Sequence, residues 1–410
     1  MDNITSGVAI SMAEDKYLPN ARRDGGMCLA LSGGGFRATL FHLGGLRRLN
    51  ELGLLGSFQS ISSVSGGSVM ALCLADAMMS ASPVTGKPLS NFEDLAGTVH
   101  ELTSYNLRRT ILLKKLLPWN WIDSLPELVA AELSDRVTSK SLADLPDTPR
   151  FIFCATDLAF GVDWVYEKKR AGNYQAGHKQ TGLNTISLAH ATAASACFPP
   201  LFKPMHTGVE AKEFQPPQEE GPEADACRSA IRLTDGGVYD NMGLEPLWKN
   251  AETLLVSDAG GLFEYSRDRG TLSDLKRYPD IMGNQARALR KRWLISSFLT
   301  GEGPGGLPGL EGTYWATTSD RTRYDPADKS GYSPETAHLI AQIRTDLDEF
   351  SGAEQAVLEN HGYLLCDIAI KTHLPTLYAS APPVNIPFKE WMDEGKVREA
   401  IKDSARQHVI

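Results

Sequence analysis

The sequence predicts an α/β fold with a mainly parallel central sheet. Three observations carry this expectation. The short apolar run Met27–Leu31 stops at Ser32-Gly33-Gly34-Gly35, after which apolar residues recur at helical spacing. A second run, about Phe58–Val64, enters Ser65-Gly66-Gly67 and then a small-residue helix. Further short strands also end at glycine turns that carry polar groups, where α/β folds place their sites.

The elements follow in chain order. The first 26 residues are polar and read as a loose arm. Leu40, Leu43, Leu46, Leu49 and Leu52 predict a helix from Arg37 to Leu52, punctuated by Gly53 and Gly56. A helix over Ser68–Met79 follows the second strand, giving a strand-loop-helix-strand-turn-helix opening with right-handed crossovers. Residues 91–150 are helical and irregular, with Pro118, Pro126, Pro146 and Pro149, and read as a cap insertion. Phe151–Thr156 and Val162–Tyr166 are paired strand candidates, and Thr185–Cys197 is a small-residue helix. Acidic, proline-bearing Val209–Asp225 reads as a surface loop. Ile231–Thr234 leads to Asp235-Gly236-Gly237, and Thr253–Ser257 leads to Asp258-Ala259-Gly260. Beyond these come a helix near Ile281–Thr300, a glycine loop Gly301–Gly312, and helices between Pro334 and about Thr372.

The 410 residues allow two or three domains, or one large α/β unit with insertions. With 42% apolar and 22% charged residues, wholesale disorder is excluded. A net charge of −9 argues against a nucleic-acid partner, since phosphate attraction needs a basic surface. Six scattered cysteines without CxxC spacing read as reduced, buried thiols. No His/Asp/Cys cluster has ligand spacing, so neither metal nor cofactor is expected. The N-terminal residues lack a secretory pattern, and the longest near-apolar run, Ile61–Met79, holds four serines, two glycines and an aspartate. The expectation is a soluble, cytoplasmic protein.

Three motifs carry chemistry, and each reads two ways alone. Ser65 between a strand and a helix suits a nucleophile elbow, although Ser63 stands where G-x-S-x-G has glycine; a plain glycine turn is the competing reading. Gly33-Gly34-Gly35 before a helix exposes backbone donors to an oxyanion or phosphate, or is simply a turn. Asp235 at a strand end is a general base if burial raises its pKa, or an Asx turn. Asp258 is a rival of similar form.

Taken together, Gly33-Gly34-Gly35-Phe36-Arg37, the turn around Ser65, Ala194-Ser195-Ala196-Cys197-Phe198-Pro199 and Asp235-Gly236-Gly237 resemble the patatin-like phospholipases and acyl hydrolases. The resemblance runs from about Met27 to Gly261. Arg344–Asp348 with Glu354 and Gly362-Tyr363 is similar to the C-terminal part of bacterial members. It implies a three-layer fold with a helical cap insertion and C-terminal helices. The organisation is then an arm at 1–26, a catalytic domain at 27–261 with its cap at 91–150, and a helical extension at 262–410 packed on the same domain.

The resemblance further implies a Ser–Asp dyad, with Ser65 as nucleophile and Asp235 as base. Gly33, Gly34, Gly35 and Gly66 would supply the oxyanion hole, and Arg37 would hold a lipid phosphate or serve as a structural arginine. The implied reaction is hydrolysis of fatty-acyl esters of phospholipids through an acyl-enzyme. The alternatives are an acyltransferase on the same dyad and a silent lipid-binding scaffold. A Ser-His-Asp esterase would draw on His338, His361 or His373, but none lies in a glycine-rich strand-end loop; His361 reads as a residue near a helix C-terminus. Peripheral contact with a phospholipid membrane is the expected partnership. Two basic, apolar stretches suit it: one with Arg108, Arg109, Lys114, Lys115, Trp119 and Trp121, the other Gln285–Thr300. Either stretch also reads as a packed helix or an oligomer contact.

Overall fold

A computed structural model describes residues 23–116, 124–199, 202–207, 209–215, 221–263, 271–300 and 309–404. The arm to residue 22, Trp119, Trp121 and most of the glycine loop after Thr300 lie outside the described residues. Among the described residues, eleven strands form one sheet. They are β1 Met27–Leu31, β2 Ser60–Val64, β3 Arg150–Asp157, β4 Val162–Glu167, β5 Arg170–Asn173, β6 Gly177–Lys179, β7 Met205–His206, β8 Phe214–Gln215, β9 Arg232–Asp235, β10 Thr253–Asp258 and β11 Glu311–Ala316. The helices are α1 Gly35–Glu51, α2 Gly66–Ala81, α3 Phe92–Thr103, α4 Leu107–Lys115, α5 Leu125–Arg136, α6 Leu188–Ala196 and α7 Pro222–Ser229. After them come α8 Gly237–Asp240, α9 Thr271–Thr300, α10 Pro334–Ala341, α11 Gly352–His373, α12 Pro375–Tyr378 and α13 Glu394–Ile401.

The sheet runs β11-β10-β1-β2-β3-β4-β5-β6-β8. Its first five strands are parallel, and those beyond β3 are antiparallel. Strand alternation builds two cores. Leu29, Leu31, Ile61, Phe151, Phe153 and Leu255 face a core shared with α1, α2, α3, α6 and α11. Cys28, Ala30, Val64, Ile152, Leu254 and Val256 face a second core with Met242, Leu244, Leu247 and Leu294 of α9. A parallel sheet covered on both faces needs this near-continuous apolar character, and the result is a three-layer α/β arrangement.

One register detail positions the site. β2 pairs with the lower part of β3 and stops at Val64 opposite Cys154. β9 then takes the upper part antiparallel, with Asp235 opposite Ala155. Ser65 and Asp235 therefore meet where one partner strand replaces the other along β3.

Several expectations change. Residues 262–410 are not wholly helical: β11 extends the parallel sheet beside β10. Its Glu-Gly-Thr-Tyr-Trp-Ala run carries Gly312 and follows a glycine-rich stretch, which hides it from periodicity. The segment at 209–225 is more than a surface loop, because it carries β8, paired with β6, and the start of α7. α2 begins at Gly66, two residues before the expected start. The C-terminal part is fastened to α1 by glycines: a β-carbon on Gly44 would stand 1.9 Å from the Glu359 carbonyl oxygen of α11. Among the described residues, no helix is long and apolar enough to cross a membrane.

Candidate active site

Ser65 adopts φ 52° and ψ −119°, a left-handed conformation that a serine accepts only under constraint. The surrounding contacts supply that constraint. A β-carbon on Gly66 would meet the Gly35 carbonyl oxygen at 2.0 Å, so the elbow and the glycine loop pass as bare backbone. The Ser65 N–H donates to the Ser195 hydroxyl at 2.9 Å, and that hydroxyl donates to the Cys154 carbonyl at 2.6 Å. Ser68 Oγ lies 2.8 Å from Ser195 Oγ and donates to Ser63 Oγ at 3.0 Å. Ser63, the residue that departs from the elbow pattern, is thus a buried member of a serine network and accepts from Ser68.

Asp235 is held from the same segment. Its N–H donates to the Cys197 carbonyl at 3.3 Å, and the Gly236 N–H donates to the Ser195 carbonyl at 3.2 Å. Asp235 Oδ1 accepts the Gly237 N–H at 2.7 Å. Oδ2 is buried and accepts no hydrogen bond in the resting geometry. Burial pushes the carboxyl up to about 7, while the Gly237 N–H and the nearby Ser65 hydroxyl pull the other way. A carboxyl with that value is half ionised near neutral pH, which suits a general base.

Asp258 has the opposite environment. It lies at the end of β10, buried, and accepts from Arg287 at 2.7 and 2.9 Å and from Tyr314 Oη at 2.6 Å. Burial would raise its carboxyl, but the Arg287 guanidinium outweighs that and holds it well below the usual carboxylate range. The two strand-end aspartates are thus driven apart, Asp235 upward by burial and Asp258 downward by Arg287.

The glycine loop is braced from below. His42 bridges the Ser257 hydroxyl at 2.7 Å and the Ser32 carbonyl at 2.8 Å, and the Ser32 hydroxyl accepts the Ala259 N–H at 2.7 Å. Burial lowers His42 to about 4, so it is neutral in this role. Among the described residues, the N–H groups of Gly34, Gly35 and Gly66 have no acceptor. The Gly33 N–H does: it donates to the Asn241 carbonyl at 3.0 Å. Gly33 is therefore removed from the expected oxyanion donors.

Arg37 also departs from expectation. Its side chain is buried and donates to the carbonyls of Ala341, Ile343 and Ala259 at 2.7–2.9 Å. At 2% exposure, with its unpartnered Nε buried as well, it does not face a lipid phosphate; Arg37 ties α1 and the glycine loop to the C-terminal segment. Among the described residues, no histidine is hydrogen-bonded to Ser65. His361 lies inside α11, away from its end, and contacts the Thr317 carbonyl at 3.0 Å, while His373 meets Thr313 and His338 meets Gln342.

The basic stretches are partly used internally. In α4, Leu107 and Ile111 are buried, Arg108 pairs with Asp346 and Lys114 with Glu132, whereas Leu112, Leu113 and Leu116 are exposed. In α9, Arg287 and Arg290 pair with Asp258 and Glu245. Among the described residues, no group of three His, Cys, Asp or Glu is arranged to hold a metal ion.

A model of the patatin-like phospholipases matches residues 29–248, which contain the glycine loop, the elbow, Ser195 and Asp235. The chain belongs to the patatin-like phospholipase family. Solved structures with similar folds include human GIVD cytosolic phospholipase A2, at 12% identity and a TM-score of 0.44, covering 98% of this chain and 64% of that one. The same human enzyme with a methyl γ-linolenyl fluorophosphonate inhibitor and terbium chloride gives 11% identity, coverage of 87% and 59%, and a TM-score of 0.48. VipD from Legionella pneumophila gives 14%, coverage of 87% and 68%, and a TM-score of 0.34. This chain thus spans less than two thirds of the human enzyme. No curated protein sequence matches it. Within the patatin-like family frame, motif reading left Asn241, which holds Gly33, without a role, and read Arg287, which locks Asp258, only as part of a basic stretch. Asn241 follows the Asp-Gly-Gly turn by four residues, and that proximity was the available signal.

Proposed function

We propose that this chain is a serine-dependent lipid acyl hydrolase acting on phospholipids through Ser65 and Asp235. The observation that carries the reading is the strained Ser65 elbow beside a buried carboxyl whose Oδ2 accepts no hydrogen bond and whose pKa is raised to about 7. Ionised Asp235 takes the Ser65 hydroxyl proton as Oγ attacks the ester carbonyl. The N–H groups of Gly34, Gly35 and Gly66 receive the oxyanion, and the α2 N-terminus adds its dipole. Collapse of the tetrahedral intermediate releases the alcohol with a proton from Asp235, leaving an acyl group on Ser65. Water then hydrolyses it.

An apolar rim supports a lipid substrate. Phe198 follows Cys197, Val238 follows Gly237, and Leu262-Phe263 follow Gly261; these side chains are 37–57% exposed beside the site-forming segments. Together with the exposed leucines of α4 they favour peripheral contact with a membrane surface. Six unpaired cysteines favour a reducing, cytoplasmic setting.

The test is fatty-acid release from mixed phospholipid vesicles by wild type, Ser65→Ala and Asp235→Asn. Release by wild type and loss of at least about a thousandfold in both variants is expected. Full release by Ser65→Ala would overturn the nucleophile assignment.

A further inference from the structure

Asn241 follows α8, and its backbone and side chain do different things. The backbone carbonyl accepts the Gly33 N–H, which any substitution of the side chain preserves. The side-chain amide has no hydrogen-bond partner among the described residues. It is nevertheless wedged between the two glycine turns of the site. A β-carbon on Gly33 would stand 2.5 Å from Asn241 Oδ1 and 3.0 Å from Ser65 Cβ. A β-carbon on Gly237 would stand 2.6 Å from Asn241 Oδ1 and 3.0 Å from Asp235 Oδ1. Asn241 Oδ1 therefore lies no farther from either catalytic residue than the sum of those distances. One water hydrogen-bonded to two oxygens spans up to roughly 5.5 Å, so Asn241 Oδ1 lies within one-water reach of the Ser65 and Asp235 side chains.

We infer that Asn241 orients the hydrolytic water of the deacylation step, an inference that rests on the Ser65–Asp235 reading above. Once Ser65 carries an acyl group it has no proton to give, and Asp235 Oδ2 again needs a donor. A water there has two protons. One is directed to Asp235 and the other to Asn241 Oδ1, which leaves a lone pair for the acyl carbon. The water oxygen bonds to that carbon as Asp235 takes the first proton, and the oxyanion forms at the glycine donors. Collapse breaks the bond to Ser65 Oγ, which recovers the proton from Asp235. The products are the free carboxylic acid and the resting serine. A water held by two fixed polar groups is already in attack geometry, and loss of that geometry costs roughly a hundredfold. Acylation brings its own nucleophile, already positioned by the elbow, and does not need Asn241.

The test separates the two half-reactions in Asn241→Ala and Asn241→Ser. The rate of fluorophosphonate labelling reports attack by Ser65, and intact mass during turnover of a p-nitrophenyl acyl ester reports the acyl-enzyme. The expected result is labelling within about threefold of wild type, turnover lowered about a hundredfold, and an added acyl mass that persists. Hydroxylamine, a stronger nucleophile than water, should discharge that acyl group at a nearly wild-type rate. Unchanged turnover in both variants overturns the inference. So does an equal fall in labelling and turnover, which would mark a structural wedge. Labelling that survives Ser65→Ala would instead overturn the dyad itself, so the two failures are distinguishable. Should Asn241→Ala melt early, Asn241→Ser keeps a small polar side chain and is read in the same way.

Discussion

The Ser195 hydroxyl accepts the Ser65 N–H at 2.9 Å, and the Ser195 carbonyl accepts the Gly236 N–H at 3.2 Å. One residue of α6 thus holds the Ser65 turn with its side chain and the Asp235 turn with its backbone. Ser195→Ala removes only the first hold. It should cost about 1–3 kcal/mol, because the Ser65 N–H loses its acceptor in a buried setting. The fall in kcat should exceed any rise in KM. Urea denaturation and steady-state kinetics check both.

The raised pKa of Asp235 gives activity and stability opposite dependences on pH. With Asp235 as the proposed base, activity needs its carboxylate, so kcat/KM should climb through about pH 7 and level above it. Stability runs the other way. The ordinary value of 3.8 describes the unfolded carboxyl, which ionises first as pH rises, while the folded one stays protonated until about 7. The folded state binds more protons across that window, so Asp235 lowers stability as pH rises from about 4 to about 7. Asp235→Asn should therefore match wild type in Tm near pH 4 and exceed it at pH 8, with activity lost throughout. Equal Tm differences at both pH values would contradict the assigned environment.

Gly66→Ala should abolish labelling of Ser65. The added methyl would meet the Gly35 carbonyl oxygen at 2.0 Å, and that oxygen belongs to the glycine loop itself. Moving it displaces the proposed oxyanion donors, with overpacking of about 1–3 kcal/mol in addition. Thermal melting and labelling measure the two effects separately.

Arg37→Lys should fail to replace Arg37, which distinguishes a buried strut from a phosphate ligand. Three carbonyls take the forked guanidinium, and an ammonium on a flexible stem cannot reach all three in that geometry. Each unsatisfied carbonyl costs about 1–3 kcal/mol. The expected outcome is a clear loss in Tm, with residual activity equally sensitive to phospholipid and neutral ester substrates. A loss confined to phospholipids, at unchanged Tm, would restore the phosphate role.

Much of this was legible in the sequence, because glycine turns at strand ends are local signals. Met27–Leu31 forms β1 with those bounds, and the α1 leucines at 40, 43, 46 and 49 are buried as their spacing predicts. What was not legible depends on distant contacts. Arg37 looks like a cation beside a glycine loop until residues 259, 341 and 343 fold over it. Gly33 looks like its two neighbours until the Asn241 carbonyl takes its N–H. The difference between Asp235 and Asp258 lies in Arg287, roughly thirty residues beyond β10. β11 is as long as β10, but it contains Gly312 and adjoins a glycine-rich stretch, so alternation does not reveal it.

Ser65 as nucleophile and Asp235 as its base form the core of the proposed mechanism. The most direct measurement is the site and pH dependence of covalent labelling by a fluorophosphonate, read by mass spectrometry of the digested protein. One modified residue is expected, Ser65, with a labelling rate that rises through about pH 7 in wild type. In Asp235→Asn the rate should be low, without that rise. Modification of any other residue, or a pH profile that Asp235→Asn leaves in place, would contradict it.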